Sequence, residues 1–296
     1  MGTDLDKAEA TTFETMSVDD TMSQSASSRW VSTGMGYKML AAAMAGLGLV
    51  GFVSADFASV WQRIPIEDLP GRQFFAYACA AFELATGVGL LFKPTAAIAS
   101  RILVVFLLLW ALLLKLPAVV AMPQMEATWL GLAEVMVMVV GAWMVALAFG
   151  ASRGAQQFRF VTGATGLSNA RILFALSLLP IGLAHFVYAE QTAAFVPSWL
   201  PWHFGWAYLT GAGSIVACSA ILSGLFARLA ALLEAVMLMI ITLLVWTPWL
   251  TPASNGLQFQ ATGFLISLAI ASGAWIVSDS YGGWSARSPM KLPANL

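Results

Sequence analysis

Eight apolar runs, each close to the length of a bilayer crossing, fill residues 38–278 of the chain. They cover about 38–61, 72–92, 96–117, 128–149, 171–190, 204–224, 226–248 and 258–278. An α-helix rises 1.5 Å per residue, so roughly 20 apolar residues cross a ~30 Å hydrocarbon core. Only 10% of the 296 residues are charged, against 59% hydrophobic. A water-soluble domain carries roughly a quarter of its residues as charges, so a soluble globule is excluded. The alternating segments of about ten residues that mark a membrane β-barrel are absent. The reading is an all-α, polytopic integral membrane protein with eight transmembrane helices, whose first partner is the lipid bilayer.

Punctuation divides these runs. Pro117, Pro123, Pro248 and Pro252 fall where turns are needed, and a residue without a backbone N–H is expected to end the helices there. Residues 1–35 are rich in Ser, Thr and Asp and read as a disordered acidic tail. No basic segment, short apolar core and small-residue cleavage site precede the first run, so it is expected to be kept as a span. A polar, Gly-rich stretch, 151–170, links a first four-helix unit (36–150) to a second (171–280), and 281–296 form a C-terminal tail.

Eleven of the fourteen Lys and Arg residues fall on the side of both termini, with only Arg63, Arg72 and Lys115 opposite. Both termini are therefore expected in the cytoplasm, in a cell inner membrane. Trp129, Trp199, Trp202 and Trp206 fall near the outer ends of spans, as an interfacial ring would. Nothing in this charge pattern is a nucleic-acid footprint. Cys79 and Cys218 sit in separate apolar runs without a CxxC and read as small hydrophobes.

Displacing the chain by 131 residues aligns Gly51 with Gly182, Leu69-Pro70 with Leu200-Pro201, Ala76-Tyr77 with Ala207-Tyr208, and Pro117 with Pro248. Four spans per copy is an even number, so the two copies are expected to run parallel, as two tandem four-helix bundles. Their polar residues differ: Ser54 stands against His185, Glu83 against Ser214 and Lys115 against Trp246.

Charges inside the apolar layer cost about 2.5–3.5 kcal/mol each on insertion scales and need a partner or a wet cavity. The first unit holds Asp56, Glu83, Lys115 and Glu134, expected to form one cluster with Lys115 neutralising Glu83 or Glu134. With Tyr77 and His185 they are the candidate ligand-binding or proton-handling residues; the alternative is paired helix glue without turnover. His203 is expected to pack the Leu-Pro-Trp-His turn, and Glu234 to serve a helix contact. No catalytic triad, phosphate loop or metal-ligand spacing is present, and Gly46–Gly51 sits mid-span as a helix-packing string.

The segment with Gly182, His185-Phe186, Val196-Pro197, Trp199-Leu200-Pro201, Tyr208, Gly211 and Arg228-Leu229-Ala230 resembles the DoxX-like family of small four-helix membrane proteins. The first half resembles it more loosely, through Leu69-Pro70, Glu83, Gly87 and the Ala96–Arg101 stretch; the second copy departs from it with Ser214 where Glu83 stands. The resemblance implies a four-helix bundle per unit. It also implies an accessory or quinone-facing subunit of a membrane redox process, with a quinone as cofactor and redox enzyme subunits as partners. A small-molecule transporter or binder, or a structural assembly partner, are the alternatives; no catalytic residue set comes with the resemblance.

Overall fold

The structure, a computed structural model, describes residues 34–58, 62, 70–150, 160–247 and 257–282. Their helices are α1 (Met35–Ser54), α2 (Arg72–Leu91), α3 (Lys93–Ala121), α4 (Glu126–Phe149), α5 (Gly163–Val187), α6 (Ala189–Phe195), α7 (His203–Ser223), α8 (Ala227–Trp246) and α9 (Leu257–Gly282). Among the described residues, all but the short α6 are long and apolar enough to cross a membrane. The protein is an all-α polytopic membrane protein with eight spans. Residues 1–33 of the expected tail 1–35, 151–159 of the expected linker 151–170 and 283–296 of the expected tail 281–296 lie outside the described residues.

The 131-residue displacement reappears in the geometry. His203 opens α7 at that distance from Arg72 of α2, and Leu257 opens α9 at that distance from Glu126 of α4. α3 contains a π-helical turn at Ala111–Lys115 and α8 has one at Thr242–Trp246, again 131 residues on. Such wide turns are rare and usually occur singly inside α-helices, so their recurrence at one displacement says more than matched apolar letters do.

Three boundaries differ from the sequence reading. Pro117 does not end α3, which continues to Ala121. The Leu116 N–H bonds the Ala111 carbonyl, an i→i−5 link, and this wider turn absorbs the following residue that has no N–H to give. The first span stops at Ser54 rather than near 61, because Ala55 turns left-handed (φ 55°) and its N–H closes on Gly51 O. Phe57, Ala58 and Gln62 then fold back into the bundle, and all three are buried. α5 begins at Gly163, inside the expected linker, and its start is held by Trp143 Nε1 donating to Val161 O and Asn169 Nδ2 donating to Phe160 O.

Lipid tails are as apolar as leucine, so close packing rather than water exclusion must hold spans together. α1 packs broadly on α2, and α5 on α7, through small residues. A Cβ on Gly48 would stand 2.5 Å from Leu84 N, and one on Gly182 would stand 2.7 Å from Gly211 O. Gly48, Gly51 and Gly46 thus serve packing, the first two toward α2 and the last toward Leu265 of α9.

The two units share one core. α1 has its other broad face on α9, α5 has its other broad face on α4, and α4 and α9 pack on each other, with Gly141 against Gly273. Within a unit, the first and fourth helices barely touch. Each fourth helix therefore completes the other unit, an isologous arrangement of the kind two-fold dimers use. Burial follows this symmetry: α4 and α9 are mostly buried, whereas α3 and α8 are mostly exposed. One hydrophobic cluster runs through both units.

Candidate functional site

Midway along α2, Glu83 is 1% exposed. Its Oε1 accepts a hydrogen bond from Gln62 Nε2 at 2.7 Å. Gln62 belongs to the connection between α1 and α2, is itself 1% exposed, and its Oε1 accepts from Ala58 N at 3.2 Å. The backbone N–H of Gln62 donates to Ala58 O at 3.0 Å, one helical turn that aims the amide inward. The chain thus sends a loop residue into the apolar layer to meet a carboxyl there. A buried polar group left without a partner costs several kcal/mol, which is a physical reason for the loop to fold back.

The second unit solves the same problem from another helix. Ser214, which stands where Glu83 does, donates from Oγ to Glu234 Oε1 of α8 at 2.8 Å, and both are buried. Glu234 in turn stands where the first unit has Leu103, and buried Ala193 of α6 stands where it has Gln62. Each unit therefore buries one carboxyl in the apolar layer, supplied by α2 in one and by the third helix, α8, in the other, where the Ser214–Glu234 bond spans the α7–α8 seam. From the sequence Glu234 is expected only to serve a helix contact, and Gln62 carries no signal there. The signal for Glu234 lay in the displaced alignment, where the acid lost at 214 returns on the next helix.

The seams differ in their walls. In the first unit Phe82 stacks on Phe106 (5.9 Å between centroids), Phe106 meets Trp110 edge-on (6.2 Å), and Trp110 meets Phe57 edge-on (5.9 Å). Cys79 lies one turn before Glu83, within its electrostatic reach. Phe82 is 51% exposed on the outer surface of the bundle, so this aromatic row runs from the lipid side to the buried Phe57. In the second unit the positions of Phe82, Phe106 and Trp110 hold Gly213, Met237 and Ile241, and Met237 Sδ would stand 3.2 Å from a Cβ on Gly213.

The expected single cluster of charges is divided into three. Asp56 is at the end of the bundle, where Arg72 bonds its Oδ1 from Nη2 at 2.9 Å and from Nε at 3.0 Å. It also accepts from Phe57 N, so it fastens the turn leaving α1. Glu83 has Gln62. Lys115 couples to Glu134 and not to Glu83: its Nζ lies over Gly131 of α4, 3.6 Å from where a Cβ would be. Glu126, which no sequence pattern singles out, adds a like charge near Glu134, and both its carboxyl oxygens are buried without a hydrogen-bond partner among the described residues.

Tyr77 and His185 belong to neither carboxyl site. Tyr77 is 37% exposed and stacks on Phe52. His185 donates from Nδ1 to Ile181 O at 2.8 Å, because a carbonyl can only accept, and its Cβ presses against Gly211 of α7. His203 Nε2 meets Pro197 O at 3.3 Å and holds the turn before α7. Both cysteines are free, and among the described residues no three His, Cys, Asp or Glu side chains gather as a metal site needs.

The chain matches no family model, no curated protein and no solved structure. Its functional reading therefore rests on the seam itself.

Proposed function

We propose that this protein is an accessory, quinone-facing subunit of a membrane redox process, built from two DoxX-like units, with the α2–α3 seam of the first unit as its site. The observation that carries this reading is the buried Gln62–Glu83 pair set beside an aromatic row that opens to lipid at Phe82. A quinone is a flat apolar ring with polar oxygens at its edge, and pockets for such ligands combine aromatic walls with a few placed polar groups. Phe82, Phe106 and Trp110 would hold the ring; the Gln62 amide and the Glu83 carboxyl would meet its polar edge. When bound, the quinone supplies the capacity to take up two electrons with two protons. Glu83 holds a proton at its carboxyl inside the apolar layer and Gln62 keeps that carboxyl oriented. The partner redox subunit delivers the electrons. The orientation that fits the Lys/Arg distribution places both termini in the cytoplasm and the protein in a bacterial-type inner membrane.

The test is photo-crosslinking of the detergent-purified protein with an azido-quinone analogue, mapped by mass spectrometry. Labelling of α2 and α3 that excess unlabelled quinone suppresses, and that weakens in F106A and E83Q, supports the site. Labelling that excess quinone leaves unchanged, or that falls equally on α7 and α8, overturns it.

A further inference from the structure

The second unit carries a groove lined by two arginines. It lies between α5, the turn joining α7 to α8, and the last turn of α9, at the end of the bundle where α1 begins. Its volume is about 820 Å³. Two arginines line it, Arg171 and Arg228, together with Ile172, Phe226, Leu229 and Leu232, and no acidic residue does. We propose that it binds one anionic phospholipid, with the headgroup phosphate on the two guanidinium groups and acyl chain along the apolar wall.

Arg171 is fixed rather than free to reach away. Its Nε donates to Ser280 Oγ at 3.0 Å, its Nη2 donates to Ser280 O at 2.7 Å, and its guanidinium carbon lies 3.9 Å from the Tyr281 ring centroid. Those acceptors are neutral, so the positive charge stays uncompensated. Among the described residues neither Arg171 nor Arg228 has a carboxylate at ion-pair distance. Arg228 stands in the first turn of α8, where the helix dipole adds to the positive potential. Two left-handed residues, Gly224 at φ 75° and Phe226 at φ 53°, fold that turn back against the end of α7.

The apolar half of the groove points to a lipid rather than a soluble phosphate. Phe226, in the turn before α8, is 80% exposed and Leu229 of α8 is 51% exposed, beside helices apolar enough to cross a membrane. A surface pairing guanidinium groups with bare hydrocarbon matches a molecule that is anionic at one end and apolar at the other. The first unit makes no such match. Leu40 and Ala97 hold the positions of Arg171 and Arg228, and Tyr37, at the position of Ser168, is buried edge-on against Phe149.

The test is native mass spectrometry of the purified full chain, equilibrated in mild detergent with phosphatidylglycerol or with phosphatidylcholine of the same acyl chains. R228Q is the variant of choice, since Arg171 also packs on Ser280 and Tyr281. One phosphatidylglycerol should be retained in preference to phosphatidylcholine, and R228Q should weaken that retention about fivefold. K93Q, which removes another charge from the same end, should leave it unchanged. Equal retention of both lipids, no effect of R228Q, an equal effect of K93Q, or no lipid retained because another segment of the chain fills the groove would each overturn the proposal.

Discussion

Gln62 reaches back from the connection after α1 to donate to Glu83 Oε1 at 2.7 Å, and the pair is almost wholly shielded. The amide is used at both ends, since its oxygen accepts from Ala58 N. Removing it strands a carboxyl and an N–H together. Q62A should therefore cost about 1–3 kcal/mol of stability, the desolvation of groups left unpaired. Unfolding of the purified protein in mixed micelles measures this. A cycle with E83L should show coupling of at least about 0.5 kcal/mol, and strict additivity would mean that the bond contributes nothing.

The exchange of carboxyls between the units makes a second outcome calculable. Ser214 and Glu234 touch across the α7–α8 seam, so their counterparts Glu83 and Leu103 should face each other across α2–α3. L103E alone would place a second carboxyl beside Glu83, and two such groups cannot both be charged at short range. It should lower the thermal stability of the detergent-solubilised protein sharply. E83S/L103E copies the arrangement of the second unit and should recover most of the loss. A double variant as unstable as L103E would show that the seams are not equivalent.

The apolar lengths and the parallel repeat were legible because bilayer thickness and helical rise leave little choice for runs such as 128–149. The sharing of the core was not. Nothing in Gly141 or Gly273 says which unit each will pack against, since small residues mark close approach without naming a partner. The site was half legible: Glu83 stands out as an acid in mid-span, while Gln62 sits in a segment that reads as an ordinary loop. Grouping Asp56, Glu83, Lys115 and Glu134 by charge alone failed because each has a nearer solution. Arg72 lies across the turn from Asp56, Gln62 folds onto Glu83, and Glu134 is on the helix that Lys115 crosses.

Lys115 of α3 and Glu134 of α4 act on each other through space, without an ion pair within 4.0 Å among the described residues, and Glu126 is nearby. K115M removes a positive charge that acts on Glu134 and should cost on the order of 1 kcal/mol, since the two groups are half-buried and not in direct contact. K115M/E134Q should return most of it. E126Q should be neutral or stabilising, because the carboxyl it replaces is shielded, unpartnered and close to a like charge. Chemical unfolding of the three variants separates these outcomes; a K115M protein as stable as the parent would show that the amine does not serve Glu134.

The two first-to-second helix crossings differ by one methyl group, and this gives a sharper steric test. Gly51 meets Ala80 in the first unit, where Gly182 meets Gly211 in the second. A Cβ on Gly211 would stand 2.7 Å from Gly182 O and 2.7 Å from the His185 Cβ, and neither a backbone carbonyl nor a Cβ can swing aside. G211A should therefore push α5 and α7 apart and cost about 1–3 kcal/mol, the usual penalty of overpacking. A80G removes a methyl from a crossing already spaced to hold it, so its cost should be smaller and come from the lost contact alone. Thermal unfolding of both variants in the same detergent decides this. Equal stability of G211A and the parent would mean that the α5–α7 crossing can open without penalty.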